Sequence, residues 1–323
     1  MCGIAGFLDR NGSTNAPVGS VLLRMLSALG DRGPDSTGMA LFGPPSQGMR
    51  LRVKLGETSD FNQRAEEVLA RVRLAGVSVV ESEVLGPYLR LSVGADADLE
   101  TLMAAIETHQ AGRPDGSHTD HDPDSVEIIS AGRCLEIVKQ VGSPAALENS
   151  YHVSRFQGSH GIGHTRLSTE SRVDLSHSQP FWAHGVPDLA VVHNGHITNY
   201  HRLRRIYEQR GFRFYTENDS EIIGIYLRQR MARGDSLDEA MRASLRELDG
   251  SFCYLAAAPG VLAFAKDVFT LKPLVVAETD QWAAVATEEI ALRRAFGDGF
   301  RAVEPRGGTV HLWERAEPAR LAA

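Results

Sequence analysis

Short apolar segments bounded by glycine, proline, asparagine or aspartate recur along the whole chain, and they constrain the fold more than any other feature. Segments of this length and composition are typical of β-strands. They lie at residues 3–8, 38–42, 126–130, 135–141, 161–164, 189–193, 251–257, 261–265, 274–277, 282–286 and 309–313. Helical periodicity is found at residues 21–29, 199–209, 220–231 and 237–248. Many short strands with clustered helices predict an α+β fold of layered sheets covered by helices.

The region between residues 49 and 125 follows a different pattern. Its predicted elements are, in order, a strand at 51–55, a helix at 61–74, strands at 77–81 and 88–93, and a helix at 98–109. This β-α-β-β-α unit becomes ferredoxin-like if the strand at 126–129 pairs back to it. We therefore expect an inserted subdomain at 49–125, and the alternative is a decorated linker without a role of its own.

Composition narrows the class of protein. The 323 residues carry a formal charge of −7 and no basic block, so no nucleic-acid partner is expected. No apolar stretch approaches the roughly 18 residues of a membrane span, and no signal peptide is found. The three cysteines form no CxxC pair, which is typical of a reducing compartment. We therefore expect a cytoplasmic protein that does not bind a membrane.

The second residue of the chain is a cysteine, which is an unusual choice for packing. An initiator methionine before a small residue is commonly removed, and Cys2 would then carry both a thiol and a free α-amine. A thiol becomes a useful nucleophile when a base lies within hydrogen-bond reach. An α-amine with a pKa of about 7.7–8.0 is suited to that role. The alternative is a small buried residue without chemical function.

Two later stretches carry groups that suit a polar substrate. In GIGHTRLST, the planar guanidinium of Arg166 can bind a carboxylate, with the hydroxyl of Thr169 nearby. In LAVVHNGHITNY, the amide of Asn194 and the N–H of Gly195 form a compact donor pair of the kind that stabilises an oxyanion. The alternatives are an ordinary surface ion pair and an ordinary Asn-Gly turn.

Asp219, in TENDSEIIGIYL, has two interpretations. Its side chain could cap the helix that follows, or its carboxylate could bind a substrate ammonium group. Taken with the groups above, the second interpretation favours a zwitterionic amino acid that has a side-chain amide. Glutamine is such a molecule.

Six stretches, in order along the chain, resemble those of the class II glutamine amidotransferases, which are N-terminal-nucleophile hydrolases. They are MCGIAGF, DRGPDSTG (31–38), GIGHTRLST (161–169), SHSQPF (176–181), VVHNGHITNY (191–200) and ENDSEII (217–223). Glucosamine-phosphate synthase, amidophosphoribosyltransferase and the glutamate synthases carry similar stretches. The resemblance implies a four-layer αββα sandwich, with an amidotransferase domain at 1–315 and a short tail at 316–323.

The resemblance also implies a role for each matching residue. Cys2 would attack the glutamine amide carbon and form a γ-glutamyl thioester, while its own α-amine carries protons. Asn194 and Gly195 would hold the oxyanion. The implied glutamine-binding residues are Arg166 and Thr169 at the α-carboxylate, Asp219 at the α-ammonium, and Arg32 and Asp35 at the wall beside the nucleophile. No cofactor and no metal ion are implied.

The sequence departs from the family pattern beside Arg166. Leu167 replaces a residue that is often aromatic, and Glu170 and Ser171 stand where relatives often carry a small residue or histidine and then glycine. These differences affect the lid of the glutamine pocket. The insertion at 49–125 is a further departure from the common relatives.

The fate of ammonia points to a partner. The chain ends shortly after its last predicted strand, whereas better-known relatives continue into a synthase domain. Ammonia released into water near neutral pH is mostly ammonium, so we expect a separate synthase subunit that receives it through a channel. The chain looks most similar to free-standing amidotransferase subunits of glutamate-synthase-like complexes, including N-methylglutamate synthase. A hetero-oligomer is expected, with the insertion at the docking surface.

Three other functions were considered. One is a stand-alone amidase or γ-glutamyl hydrolase, and another is a non-catalytic glutamine-sensing subunit. The third is a metal hydrolase that uses some of the 12 histidines. It is disfavoured because HTDH (118–121) lies in a polar loop and no HExxH helix occurs.

Overall fold

The structure is a computed structural model that describes residues 2–11, 15–57, 60–107, 124–168 and 172–315. Thr169, Glu170, Ser171, the HTDH stretch and the tail at 316–323 lie outside the described residues. The helices are α1 (Val18–Ala28), α2 (Phe61–Leu74), α3 (Leu99–Ile106), α4 (Pro144–Tyr151), α5 (Tyr200–Gln209), α6 (Glu221–Met231), α7 (Leu237–Glu247) and α8 (Glu289–Phe296). In the described part of the chain, none of the helices combines the length and apolarity that a membrane span requires.

The strands form three antiparallel sheets. In chain order they are β1 (Gly3–Asp9), β2 (Ser36–Phe42), β3 (Arg50–Lys54), β4 (Val79–Leu85), β5 (Tyr88–Val93), β6 (Glu127–Gly132), β7 (Leu135–Val141), β8 (His160–Arg166), β9 (Phe181–Trp182), β10 (Ala190–Ile197), β11 (Gly250–Ala258), β12 (Val261–Lys266), β13 (Val275–Glu278), β14 (Trp282–Ala286) and β15 (Thr309–Glu314). The first sheet has the order β13-β14-β1-β8-β2-β7 and the second β15-β12-β11-β10-β9. The third has the order β4-β5-β3-β6.

The two larger sheets are buried on both faces. Successive side chains of a strand point to opposite faces, and on β1 Ile4 and Leu8 belong to one apolar cluster while Ala5 and Phe7 belong to another. The cluster that holds Ile4 also contains Val192 of β10, so it joins the two sheets. Strands buried on both faces read as nearly continuous apolar runs, which is why the sequence shows them clearly.

Helices cover the outer face of each larger sheet. The cluster on the first sheet includes buried residues of α1, α4 and α8, and the cluster on the second includes buried residues of α5, α6 and α7. The structure is therefore a mixed α/β fold with several antiparallel sheets. The core between the two sheets holds the ends of β1, β8 and β10 in place, and these ends carry the candidate site residues.

The elements of the insertion follow the order β3-α2-β4-β5-α3-β6. The bounds of α2 and β5 agree with the sequence prediction, while β4 extends to Leu85 and α3 ends at Ile106. Asp60 and Asp98 cap the two helices, because their carboxylates accept backbone N–H groups of the first turn. Apolar residues of this sheet join the same cluster as Ile4, so the insertion packs on the main body.

The short elements α4, α8 and β9 were not predicted. Each helix has eight residues, which is too short for a clear 3.6-residue period, and β9 has two. The strands and helices that the sequence did predict are present, with bounds that differ by a few residues.

Candidate active site

The pairing of β1 with β8 places Cys2 and Arg166 at the same end of these two neighbouring strands. Gly3 lies opposite Thr165 in this antiparallel pair, so the residue before Gly3 and the residue after Thr165 are neighbours. The approach is close, because a Cβ atom on Gly3 would lie 2.7 Å from Oγ1 of Thr165. Cys2 is half-buried, and its Sγ lies 3.7 Å from the carbonyl oxygen of Leu167.

Arg166 is a buried arginine surrounded by acidic groups. Its side chain donates from Nη1 to the carbonyl oxygen of Arg172 at 2.7 Å and from Nη2 to Oγ of Ser168 at 3.3 Å. Burial lowers its pKa, and the nearby charges of Cys2, Asp174, Asp35 and Asp219 oppose that change. Arg166 thus lies within electrostatic reach of both Cys2 and Asp219, which are far apart in sequence.

Arg32 and Asp35 hold the backbone around the thiol. Arg32 donates from Nε to the carbonyl oxygen of Cys2 at 3.3 Å, and its Nη1 pairs with Glu288. Oδ2 of Asp35 accepts the N–H of Ser168 at 2.7 Å, and the Asp35 N–H donates to the carbonyl oxygen of Arg166. Both side chains act on the main chain beside Cys2 and Arg166.

The two larger sheets are linked beside the site by a buried histidine. Nε2 of His164 on β8 lies 3.1 Å from the carbonyl oxygen of His193 on β10. Burial lowers the pKa of His164 to about 3, and Arg166 contributes to that shift. The imidazole is therefore neutral, donates its Nε2–H across the gap and fixes the end of β10 relative to β8.

Asn194 follows His193 on β10 and is 3% exposed. Its side-chain Nδ2 is buried and has no hydrogen-bond partner among the described residues. A buried donor without a partner costs about 1–3 kcal/mol. Asn194 thus presents an amide donor that is ready for an acceptor supplied from outside the chain.

Gly195 is required for a reason that the sequence did not show. Its φ is +142°, and a Cβ atom there would lie 2.2 Å from the carbonyl oxygen of Ser251 on β11. The structure shows that a neighbouring strand already excludes a side chain at this position.

Asp219 does not cap α6, and the capping interpretation was wrong. The helix begins at Glu221, and its N-cap residue Ser220 makes no side-chain capping bond. Oδ2 of Asp219 instead accepts the N–H of Ile197, at the end of β10, at 2.8 Å. Its Oδ1 lies 3.7 Å from Nδ1 of His193. The carboxylate is thereby held against the strand that carries Asn194.

Two further residues position the site, and the sequence analysis assigned them no role. The Gln179 side chain accepts the His193 N–H at 2.6 Å and donates to the His193 carbonyl oxygen at 3.2 Å, so it pairs with the backbone as a strand would. The Glu221 carboxylate accepts the N–H groups of Tyr215 and Thr216. Gln179 belongs to the SHSQPF stretch and Glu221 to ENDSEII, so both residues lie in motifs that could have indicated a role for them.

The structure brings the predicted residues together around the ends of β1, β8 and β10. A thiol, an unpartnered amide donor, a buried guanidinium and a carboxylate converge there, carried by Cys2, Asn194, Arg166 and Asp219. Such a set can attack an acyl carbon, stabilise the resulting oxyanion and bind both charges of a zwitterion. Thr169, the remaining predicted contact, lies outside the described residues.

Comparisons with known proteins agree with this chemistry. A family model described as "Glutamine amidotransferase domain" matches residues 164–294. A Methanothermobacter thermautotrophicus protein named "Putative glutamine amidotransferase" is 34% identical over 97% of this chain and 100% of its own length. The "Glutamine amidotransferase-like protein GlxB" of Rhizobium meliloti is 32% identical over 99% of this chain and 100% of its own length.

Larger enzymes match over a part of their length. The amidophosphoribosyltransferase of Escherichia coli is 29% identical over 62% of this chain and 42% of its own length. Among solved structures, glutamine phosphoribosylpyrophosphate amidotransferase from B. subtilis superimposes with a TM-score of 0.59, covering 97% of this chain and 47% of that chain. Its sequence identity is 18%, so it supports the fold alone.

Proposed function

The chain belongs to the class II glutamine amidotransferases, and we propose that it hydrolyses the side-chain amide of glutamine through a Cys2 thioester. We further propose that the ammonia passes to a separate synthase subunit of glutamate-synthase-like or N-methylglutamate synthase type. The observation that carries the first proposal is the buried Nδ2 of Asn194, which lacks a partner among the described residues. The preceding residue, His193, is bonded to His164 of β8, the strand that pairs with β1. Acyl transfer from an amide requires a donor of this kind, because charge develops on the carbonyl oxygen.

The reaction uses Cys2 as nucleophile and the α-amine exposed by removal of Met1 as base. The thiol sulfur bonds to the amide carbon while the amine takes the thiol proton. The resulting oxyanion accepts hydrogen bonds from the side chain of Asn194 and the N–H of Gly195. When the C–N bond breaks, the amine returns the proton and ammonia leaves. Water then hydrolyses the thioester to glutamate and restores the thiol.

Glutamine is proposed to bind with its α-carboxylate at Arg166 and Thr169 and its α-ammonium at Asp219. The guanidinium of Arg166 supplies the positive charge and the planar pair of N–H donors that suit a carboxylate. Asp219 lies beside the same strand as Asn194, so the ammonium and amide ends of one substrate would meet groups fixed by β10. Arg32 and Asp35 support this pocket through the backbone of Cys2 and Ser168.

A separate acceptor is proposed because the relatives differ in the share of their own length that this chain matches. Two relatives match this chain over their full length, whereas the amidophosphoribosyltransferase is matched over 42% of its length. We propose an amidotransferase domain at 1–315 of four-layer αββα type, with a ferredoxin-like subdomain at 49–125 as part of the docking surface and a tail at 316–323. The proposed location is the cytoplasm.

The test is an intact mass of the purified protein before and after exposure to a glutamine-like diazo-ketone. We expect a chain without Met1 that gains one adduct at Cys2, and excess glutamine should block the adduct. Cys253 is an internal control, because it is buried and burial raises the pKa of its thiol to about 12. A chain that retains Met1, or a folded chain whose Cys2 is not labelled, would contradict the proposal.

Turnover measurements separate the proposed subunit from a stand-alone amidase. Glutamate release by the pure chain should be slow and should rise when the synthase subunit and its acceptor substrate are added. Fast release that no partner changes would favour the stand-alone enzyme. Deletion of residues 49–125 should weaken assembly with the synthase, and unchanged assembly would contradict the docking role of the insertion.

A further inference from the structure

A pocket of about 440 Å³ lies between the insertion and the main body, and it uses none of the residues placed in the glutamine site. One wall is α3 of the insertion, represented by Met103 and Ala104. The opposite wall is the segment that joins α5 to α6, together with Ile225 and Arg228 of α6. Pockets of this volume are typical of sites for small organic molecules.

The charged residues among the described lining residues are predominantly cationic. Arg210, Arg213 and Arg228 line the pocket, and Glu107 is the one carboxylate among the described lining residues. Three guanidinium groups that face one space repel each other unless an anion lies between them. The charge of the lining therefore favours a ligand with more than one negative charge.

Glu107 is satisfied within the protein. Its carboxylate accepts the hydroxyl of Tyr215 at 2.6 Å and the N–H of Ile128 at 3.2 Å, and it lies 3.3 Å from Nε2 of His184. Burial would raise its pKa, but His184 and these hydrogen bonds outweigh burial and lower it. Arg213 is 3.9 Å from this carboxylate, at the limit of an ion pair. Glu107 thus anchors the pocket wall and neutralises only part of the arginine charge.

Two of the three arginines lie over aromatic rings. The guanidinium of Arg213 lies 4.5 Å from the ring centroid of Tyr215, and that of Arg228 lies 5.2 Å from the ring centroid of Phe212. Arg228 also donates from Nη1 to the carbonyl oxygen of His184 at 2.8 Å. Contact with a ring restricts the motion of these two guanidinium groups, which reduces the entropy lost when an anion binds.

Arg213 adds an unsatisfied donor. Its Nε is buried and has no hydrogen-bond partner among the described residues. A buried donor without a partner costs about 1–3 kcal/mol. An oxyanion in the pocket would supply the acceptor, and guanidinium groups bind carboxylates and phosphates through paired N–H bonds.

We propose that this pocket binds a small organic anion that carries a phosphate or several carboxylates, at the junction of the insertion and the main body. The apolar side chains of Met103 and Ile225 contact the body of the ligand, and the three arginines contact its charged groups. Binding here is independent of glutamine hydrolysis, so it extends the proposed function and does not require it.

The test measures binding of two probes, inorganic phosphate and citrate, by calorimetry and by the unfolding temperature of the full chain. Sodium chloride at matched ionic strength is the control for general screening. We expect saturable binding of one probe or both, with a rise in unfolding temperature. The tighter probe identifies the chemical class, phosphate or polycarboxylate.

Variants locate the binding. Arg213→Gln should weaken it by about tenfold or more, since a hydrogen bond to a charged group is lost. Ala104→Glu keeps all three arginines and adds a carboxylate at an exposed position on the pocket wall, so it should weaken binding by a similar factor. Arg205→Gln, an exposed change on α5 outside the lining, should bind as the wild type does. The proposal is overturned if neither probe binds saturably, or if Arg213→Gln and Ala104→Glu both bind with wild-type affinity.

Discussion

The guanidinium of Arg32 donates from Nε to the carbonyl oxygen of Cys2 at 3.3 Å while its Nη1 pairs with Glu288. One side chain therefore fixes the backbone of the proposed nucleophile to the segment after β14. Cys2 precedes Gly3, the residue at which β1 begins. Arg32 supplies the constraint that the position of the thiol needs.

Arg32→Lys should lower kcat for glutamine hydrolysis by about tenfold. Lysine presents one point donor and cannot hold Cys2 and Glu288 together in the forked geometry of arginine. The measurement is glutamate release at saturating glutamine. Arg24→Lys, an exposed change on α1, is the matched control and should have wild-type activity. Equal rates for the two variants would show that Arg32 does not position the thiol.

Asn194→Ala should lower kcat by about 100- to 1000-fold, the usual loss when one oxyanion donor is removed. Its unfolding free energy should not fall and should rise by up to about 1–3 kcal/mol, because the substitution removes a buried donor that has no partner among the described residues. Asn218→Ala is the matched control, since the Asn218 amide donates to the His177 carbonyl oxygen and accepts the Ser220 N–H. That variant should lose about 1–3 kcal/mol of stability in denaturant titration. Near-wild-type turnover in folded Asn194→Ala would exclude the oxyanion role.

Gly195→Ala should destabilise the protein by about 2 kcal/mol or more. The new methyl group would meet the Ser251 carbonyl oxygen, and a φ of +142° is unfavourable for alanine. Gly211→Ala tests the backbone effect alone, because Gly211 has a φ of +85° with nothing within 4 Å. It should cost about 1 kcal/mol. Similar losses in the two variants would mean that the contact with β11 adds nothing.

Glu221→Gln should raise the KM for glutamine several-fold and leave kcat nearly unchanged. The Glu221 carboxylate holds the N–H groups of Tyr215 and Thr216, and this clamp fixes the segment that contains Asp219. A glutamine side chain offers one carbonyl oxygen in place of two acceptors. Glu239→Gln, in the first turn of α7, is the control; the Glu239 carboxylate accepts the N–H of Ser236, so its loss should alter stability without changing KM. A fall in kcat at constant KM would place Glu221 in another role.

Two buried histidines predict a loss of stability in mild acid. Burial lowers the pKa of His160 and of His164 to about 3, whereas an unfolded histidine titrates near about 6.5. The unfolded chain thus binds protons first as the pH falls below about 6.5. The unfolding free energy should then decrease by up to about 1.4 kcal/mol per pH unit for each histidine.

Urea titrations between about pH 7.5 and pH 5 measure this slope. His160→Gln should reduce the slope of unfolding free energy against pH by the contribution of one histidine, up to about 1.4 kcal/mol per pH unit. The variant also loses the hydrogen bond of His160 to the Ala258 carbonyl oxygen. His201→Gln, an exposed change on α5, is the control for the loss of any histidine. A wild-type stability that is flat across this range would contradict the prediction.

Local pattern was sufficient for many elements of the fold. The bounds of α2 and β7 agree with the sequence prediction, because a clear period or a β-branched run ends at a turn residue in each case. The order of the sheets was beyond such reasoning. It depends on pairs such as Ala5 with Ala286, which are nearly the whole chain apart and leave no local mark.

The residues of the site also fall into a predictable group and a group that the sequence does not predict. Cys2, Arg166, Asn194 and Asp219 stand in recognisable motifs, and the structure brings them together. The residues that hold them in place were not predicted. Gln179 acts by pairing its side chain with the backbone of His193, a contact that depends on three-dimensional proximity and on no spacing in the sequence.

The bond between Asp219 and the N–H of Ile197 has a consequence for selectivity. Asn194 and Ile197 are three residues apart on β10, which is about 10 Å along a strand. The distance between the proposed oxyanion donor and the proposed ammonium partner is thus set by rigid strand geometry. Asparagine carries the same functional groups but is one methylene shorter. The spacing of the groups held by β10 would therefore select glutamine over the shorter asparagine.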